Sequence, residues 1–156
     1  MTILKPGLSV GMCSDHAGYE MKEMLRGYLA SQDIATVDFG THNTESCDYA
    51  DFAHPCAAAV ESGKVYPGVA LCGRGNGIAM TLNHHRGIRA AICWEPELAR
   101  LARAHNDTNI LVIPARFVKP ETAVAILDMF LKTPFEGGRH AARIAKIVKS
   151  NSKCNN

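Results

Sequence analysis

Several features that mark specialised chains are missing from this one. No apolar stretch approaches the ~18 residues that a membrane-spanning helix needs, and Met1–Gly7 lacks the apolar core of a secretory signal. No Lys/Arg cluster exceeds two residues and the net charge is only +2. A protein that tracks a nucleic-acid duplex would show a basic face or run. The six cysteines (13, 47, 56, 72, 93 and 154) form no Cys-x-x-Cys pair. The seven histidines form no His-Glu-x-x-His or mixed Cys/His ligand spacing. These absences lead to the expectation of a cytoplasmic protein with free thiols, no membrane or nucleic-acid partner, and no metal or other cofactor. With 47% hydrophobic and 21% charged residues, disorder is not indicated. A length of 156 residues suits one domain with one core.

What is present is a regular alternation of apolar runs and helical patterns. Strands are expected at Leu8–Cys13, Ile34–Phe39, Val65–Leu71, Ile88–Cys93 and Ile110–Ile113. Met21, Met24, Leu25, Tyr28 and Leu29 form the apolar stripe of a first helix. An alanine-rich helix is expected over Tyr49–Ser62 and a short one over Ile78–Leu82. Pro96 and Pro120 suit first helical positions. Pro96 would open a helix lined by Leu98, Leu101 and Ala102 and ended by His105. Pro120 would open another, with Ala123, Ile126, Leu127, Phe130 and Leu131 on one face. After Gly137-Gly138 a last helix would turn Ala141, Ile144, Ile147 and Val148 inward, with Ser150–Asn156 as a frayed tail. Five strands separated by helices imply an α/β, three-layer α/β/α Rossmann-like fold with a five-stranded parallel sheet. Ligands of such folds bind at the carboxyl ends of the strands.

Cys72 stands at one of those ends. It closes an apolar run and opens the glycine loop Cys72-Gly73-Arg74-Gly75-Asn76-Gly77. The spacing is neither a Gly-x-Gly-x-x-Gly dinucleotide fingerprint nor a Walker loop. A cysteine phosphatase would need an arginine where Ile78 stands. What remains is a thiol beside an anion cradle at a helix N-terminus, a pairing suited to proton abstraction next to a carbonyl. Ser14-Asp15-His16 follows the first strand: Ser14 or Asp15 can cap the helix, and Asp15 with His16 can hold ligand hydroxyls or phosphate. His105-Asn106-Asp107 ends a helix, where His105 is either structural or an acid–base group. Arg139 and Arg143 share a helix face that is either a solvated basic edge or a phosphate grip, and Arg116 is a third candidate.

These motifs, in this order, resemble the type B ribose-5-phosphate isomerase family, which also includes the galactose-6-phosphate isomerase subunits. The matching pieces are Ser14-Asp15-His16-Ala17-Gly18, Cys47-Asp48-Tyr49-Ala50-Asp51-Phe52, Cys72-Gly73-x-Gly-x-Gly77, Gly87-Ile88-Arg89-Ala90, His105-Asn106-Asp107-Thr108-Asn109 and Phe135-Glu136-Gly137-Gly138-Arg139-His140 with Arg143. The resemblance implies a metal-independent aldose–ketose isomerase of phosphorylated sugars, with ribose 5-phosphate and ribulose 5-phosphate the first expectation. It implies Cys72 as the base between C1 and C2, His105 in ring opening, and the N–H groups of Gly73 to Gly77 around the enediolate. Asp15 and Asn106 would hold hydroxyls. His16, Arg116, Arg139 and Arg143 would hold phosphate. The partner implied is a second copy, in a homodimer or dimer of dimers with shared sites. Members with a glutamate base carry it where Ile78 stands, so Cys72 is the only base this loop offers. Arg74 departs from the small hydroxyl residue usual at its position, and His84-His85-Arg86 from an Ala-Asn-Lys-like stretch. Arg74 therefore keeps two alternatives open: another sugar phosphate (a tetrose, another pentose or a hexose 6-phosphate), or a non-catalytic binding subunit of a hetero-oligomer.

Overall fold

The computed structural model describes residues 2–148; the expected tail Ser150–Asn156, with Cys154, lies outside them. The chain alternates β1 (Val10–Ser14), α1 (Tyr19–Ser31), β2 (Thr36–Asp38), α2 (Tyr49–Glu61), β3 (Gly68–Cys72), α3 (Asn76–Asn83), β4 (Ala90–Ile92), α4 (Pro96–Asn106), β5 (Ile110–Pro114), α5 (Pro120–Lys132) and α6 (Arg139–Ile144). The strands lie in the order β2-β1-β3-β5-β4, every neighbouring pair parallel. Parallel sheets are covered on both faces, and the two-residue side-chain period divides this sheet cleanly. Met12, Val69, Leu71, Leu111 and Ile113 pack against Leu25, Leu29, Ala99, Ile126 and Phe130 of α1, α4 and α5. Cys13, Ala70, Cys72, Ile110 and Val112 pack against Ala53, Cys56, Ala57, Ile78 and Leu82 of α2 and α3. The expected three layers are present, with Cys72 directed toward α2 and α3. No helix among the described residues is long and apolar enough to cross a membrane.

Four of the five ladders are shorter than the apolar runs, while β5, ending at Pro114, is one residue longer. β3 begins at Gly68 rather than Val65, because Pro67 has no N–H to give a neighbouring strand. β4 keeps only Ala90–Ile92 of Ile88–Cys93. Pro96 and Pro120 do open their helices. The last helix differs most. It spans six residues and buries only His140, while Ile147 and Val148 stand 59% and 42% exposed. Ile147 and Val148, just past it, are left uncovered by the other described residues.

One buried cation locks the edge beside β1. Lys22 is fully buried, and its Nζ donates to Asp38 Oδ1 at 2.6 Å and to the Thr41 carbonyl at 2.8 Å. Asp38 also accepts from Arg26 at 3.0 Å and from the Gly40 N–H. Burial by itself would raise the Asp38 pKa; the bonds from Lys22 and Gly40 and the Arg26 charge outweigh it and hold the carboxyl below its usual value.

Candidate active site

The carboxyl ends of β1, β3 and β5 meet at one edge, since Ser14 is level with Leu71 and Cys72 with Pro114. There the chain leaves β3 at Cys72 and turns into α3 through Gly75, whose φ of +80° favours glycine. The turn brings the Gly75 N–H onto Cys72 Sγ at 3.1 Å. The sulfur therefore has a fixed donor, while Cys72 itself is 5% exposed. Asn76, Gly77 and Ile78 open α3, and helix geometry leaves their N–H groups without intrahelical acceptors. Of the expected cradle donors Gly73 to Gly77, the Gly75 N–H is already used by the sulfur, while those in the first turn of α3 are open to a ligand.

Around this loop lies a cavity of about 540 Å³, lined by Asp15, His16, Cys72, Gly73, Arg74, Asn76, Gly77 and Arg116, and also by Ser46, Cys47, Asp48 and Tyr49. Asp15, 8% exposed, accepts the Gly18 N–H on Oδ1 at 2.9 Å, which leaves its second oxygen for a ligand. The expected side-chain cap is not formed: Gly18 stands at the N-cap of α1, and Asp15 holds only the Gly18 N–H in the turn before the helix. Ser14 is the last residue of β1, and its buried hydroxyl has no partner among the described residues. His16 Nδ1 accepts the Cys47 N–H at 3.3 Å, so a neutral ring carries its proton on Nε2 as a donor. Arg116 is fastened by its N–H to the Gly73 carbonyl at 3.1 Å, with its side chain passing over Gly73. Tyr49 packs so closely on Gly77 that a Cβ there would fall 2.4 Å from its ring. Arg74 is exposed and lines the cavity without filling it. It also borders a neighbouring apolar hollow with Trp94 and Phe117. Residue reasoning had not singled out Cys47, Asp48 and Tyr49 for the site, although their motif formed part of the resemblance.

The remaining candidates sit elsewhere. His105, Asn106 and Arg143 line a separate cavity of about 350 Å³ with His140. Arg139, exposed at the start of α6, lines neither cavity. The separation follows from topology. α4 runs back from the carboxyl end of β4, so His105 and Asn106 stand near Ile110, where β5 begins, while Cys72 is level with Pro114, where β5 ends. Four strand residues at ~3.3 Å each put roughly 13 Å between the two levels. Asp107 caps α4 with φ +44°, held by Arg89 and by the buried Arg103. The His140 ring stacks on His105 at 4.2 Å. Burial, then the charges of His105 and Arg139, lower the His140 pKa against the pull of Glu136. Among the described residues, His105, Glu136 and His140 form the one group whose donor atoms could together hold a metal ion.

A family model described as Ribose/Galactose Isomerase matches residues 10–147. The ribose-5-phosphate isomerase B of Escherichia coli is 39% identical over 141 residues, covering 90% of this chain and 95% of that one. The structure of a Thermotoga maritima ribose 5-phosphate isomerase is 46% identical, with a TM-score of 0.88 over 90% of this chain and 97% of that one. A Mycoplasma genitalium ribose-5-phosphate isomerase B structure with bound ribulose-5-phosphate is 36% identical, with a TM-score of 0.86 over 90% of this chain and 94% of that one. With a family match across nearly all its length and a fold to agree, this chain belongs to the ribose/galactose isomerase family of aldose–ketose isomerases.

Proposed function

We propose that this isomerase interconverts ribose 5-phosphate and ribulose 5-phosphate, with Cys72 as the base. The observation that carries the reading is the Cys72 loop: a thiol with a bound N–H donor, beside the free N–H groups of a helix start, inside a cavity of sugar-phosphate size. The Cys72 thiolate takes the proton from C2 of the open-chain aldose and returns it to C1, while a second proton passes from the C2 hydroxyl to O1. The carbonyl oxygen becomes an enediolate oxygen and accepts from the N–H groups of Asn76 and Gly77. Loss of one such donor typically costs ~10²–10³ in rate. Asp15 accepts from a substrate hydroxyl, and His16 with Arg116 holds the phosphate.

His105, Asn106, Arg139 and Arg143 lie too far from Cys72 within one chain to act on the same sugar. They would serve the site of a second copy in a homodimer, with His105 opening the ring, Asn106 on a hydroxyl, and both arginines on phosphate. The exposed Ile147 and Val148 beside them offer apolar area for that contact. The free thiols of the five described cysteines suit the expected cytoplasmic setting.

The test is conversion of ribose 5-phosphate by the purified, metal-free protein, with Cys72→Ala as control. Turnover that vanishes in the variant, with the fold retained, supports both reaction and base; turnover that persists removes Cys72 from the role. Arg74, on the cavity wall, favours a second reading, an isomerase of another sugar phosphate. A panel of tetrose, pentose and hexose phosphates separates the two by kcat/KM. Inactivity on all of them would favour a non-catalytic binding subunit.

A further inference from the structure

Away from the Cys72 cavity, three chemically competent donors converge. His105 stands in the last turn of α4, Glu136 in the connection after α5, and His140 in the first turn of α6. His105 Nε2 is 3.6 Å, and His140 Nε2 3.8 Å, from the same Glu136 oxygen, Oε2. One donor atom from each residue lies within 4.8 Å of the other two. Both contacts are too long for hydrogen bonds, so the donors converge without satisfying one another. The backbone holds them there: the Glu136 N–H donates to the Ala104 carbonyl at 3.0 Å, one residue before His105. His140 is 7% exposed and stacks on His105 with the ring planes 8° apart.

The distances are those of an open chelate. Donors ~2.1 Å from a tetrahedral zinc ion stand about 3.4 Å apart. The two nitrogen–oxygen separations exceed that by a few tenths of an ångström. Rings stacked 8° apart cannot both aim their in-plane Nε2 lone pairs at one ion, so the His105 ring must turn through a large angle on binding. His105 and Glu136, with side chains 36% and 53% exposed, have room to supply that turn. Two imidazoles and one carboxylate suit zinc and its neighbours, whereas magnesium and calcium prefer oxygen alone. Three protein ligands would leave a fourth position for water.

We infer that His105, Glu136 and His140 form a binding site for a divalent transition metal of the zinc class, and that its occupation switches the isomerase off. The inhibitory half rests on the proposed reading in which His105 opens the sugar ring. A metal on Nε2 takes the lone pair that would otherwise accept and return the ring proton. The metal is a brake on the site and takes no part in the reaction. Histidine spacing in the sequence does not reveal the trio, because His105 is 31 positions before Glu136.

The experiment uses the full chain stripped with a chelator. Zinc affinity is read by competition with a chromophoric chelator, and site geometry by the visible bands of bound cobalt. One strong site per chain is expected, with the bands of four-coordinate cobalt. Glu136→Gln, at an exposed position, and His140→Asn should each weaken binding by more than ~10-fold, and Cys72→Ala should leave it intact. Zinc that silences the wild type should spare both ligand variants, each referred to its own metal-free rate. Affinity unchanged in both variants, or lost in Cys72→Ala, would place the metal on other groups and overturn the site. Binding at the trio without inhibition would overturn the switch. The cobalt spectrum needs no turnover, so failure of the isomerase reading and failure of the metal site are distinguishable.

Discussion

Two inactive variants should repair each other. Cys72→Ala removes the proposed base, and His105→Asn removes the proposed ring-opening group from a different cavity. Losing a positioned acid–base group typically costs ~10²–10⁴ in rate, so each variant alone should be nearly inactive. The level of Cys72 and that of His105 are about 13 Å apart along the sheet, by four strand steps, so on the proposed reading an intact site takes Cys72 from one chain and His105 from another. A mixed dimer then holds one site with both residues intact and one with both replaced. After random exchange, half the dimers are mixed and each carries one working site of two, so activity should recover to about a quarter of wild type. The assay is ribose 5-phosphate conversion after unfolding and refolding the mixture, with differently tagged chains to count mixed dimers. Mixed dimers present in the expected amount, yet as inactive as their parents, would refute the shared site.

Other consequences follow from single contacts. Lys22→Ala leaves the Asp38 carboxylate without its closest partner, and Asp38→Asn leaves the fully buried Lys22 ammonium without its counter-charge; each should cost ~3–5 kcal/mol in urea unfolding. Because the Asp38 pKa is lowered in the folded state, the unfolded chain binds its proton more readily. That contribution is full above the unfolded value near ~4 and is lost as pH falls through the folded one; acid titrations of stability should show a shallower slope in Asp38→Asn. Gly75→Ala forces an alanine into φ +80°, with its Cβ 3.1 Å from Ile92, at about 1–2 kcal/mol. It also moves the N–H from Cys72 Sγ, so kcat should fall while phosphate inhibition, which on the proposed reading reports His16, Arg116, Arg139 and Arg143, changes little. Burial pushes the Cys93 thiol up to about 12, and at 1% exposure it should resist alkylation at neutral pH until the chain unfolds. Mass spectrometry of alkylated native protein that shows Cys93 modified would contradict that burial.

The sequence alone carried the layer architecture, because side-chain period is a local property. Alternation at Val69, Ala70, Leu71 and Cys72 already assigns residues to opposite faces, and Pro96 and Pro120 mark helix starts in any context. The glycine loop and Asp15-His16 were legible for the same reason, being short strand-to-helix turns whose chemistry lies within a few residues. Three features were decided only by the fold. The Lys22–Asp38 bond joins residues 16 apart, and no local pattern marks a lysine in an apolar stripe as fully buried. The division of the candidates between two cavities comes from the direction of α4, which carries His105 to the opposite end of the strands from Cys72. The convergence of His105, Glu136 and His140 needs the connection after α5 pinned to Ala104. The exposure of Ile147 and Val148 belongs with these: an apolar period says that a face prefers burial, and only the packed chain shows that the described residues leave that face uncovered.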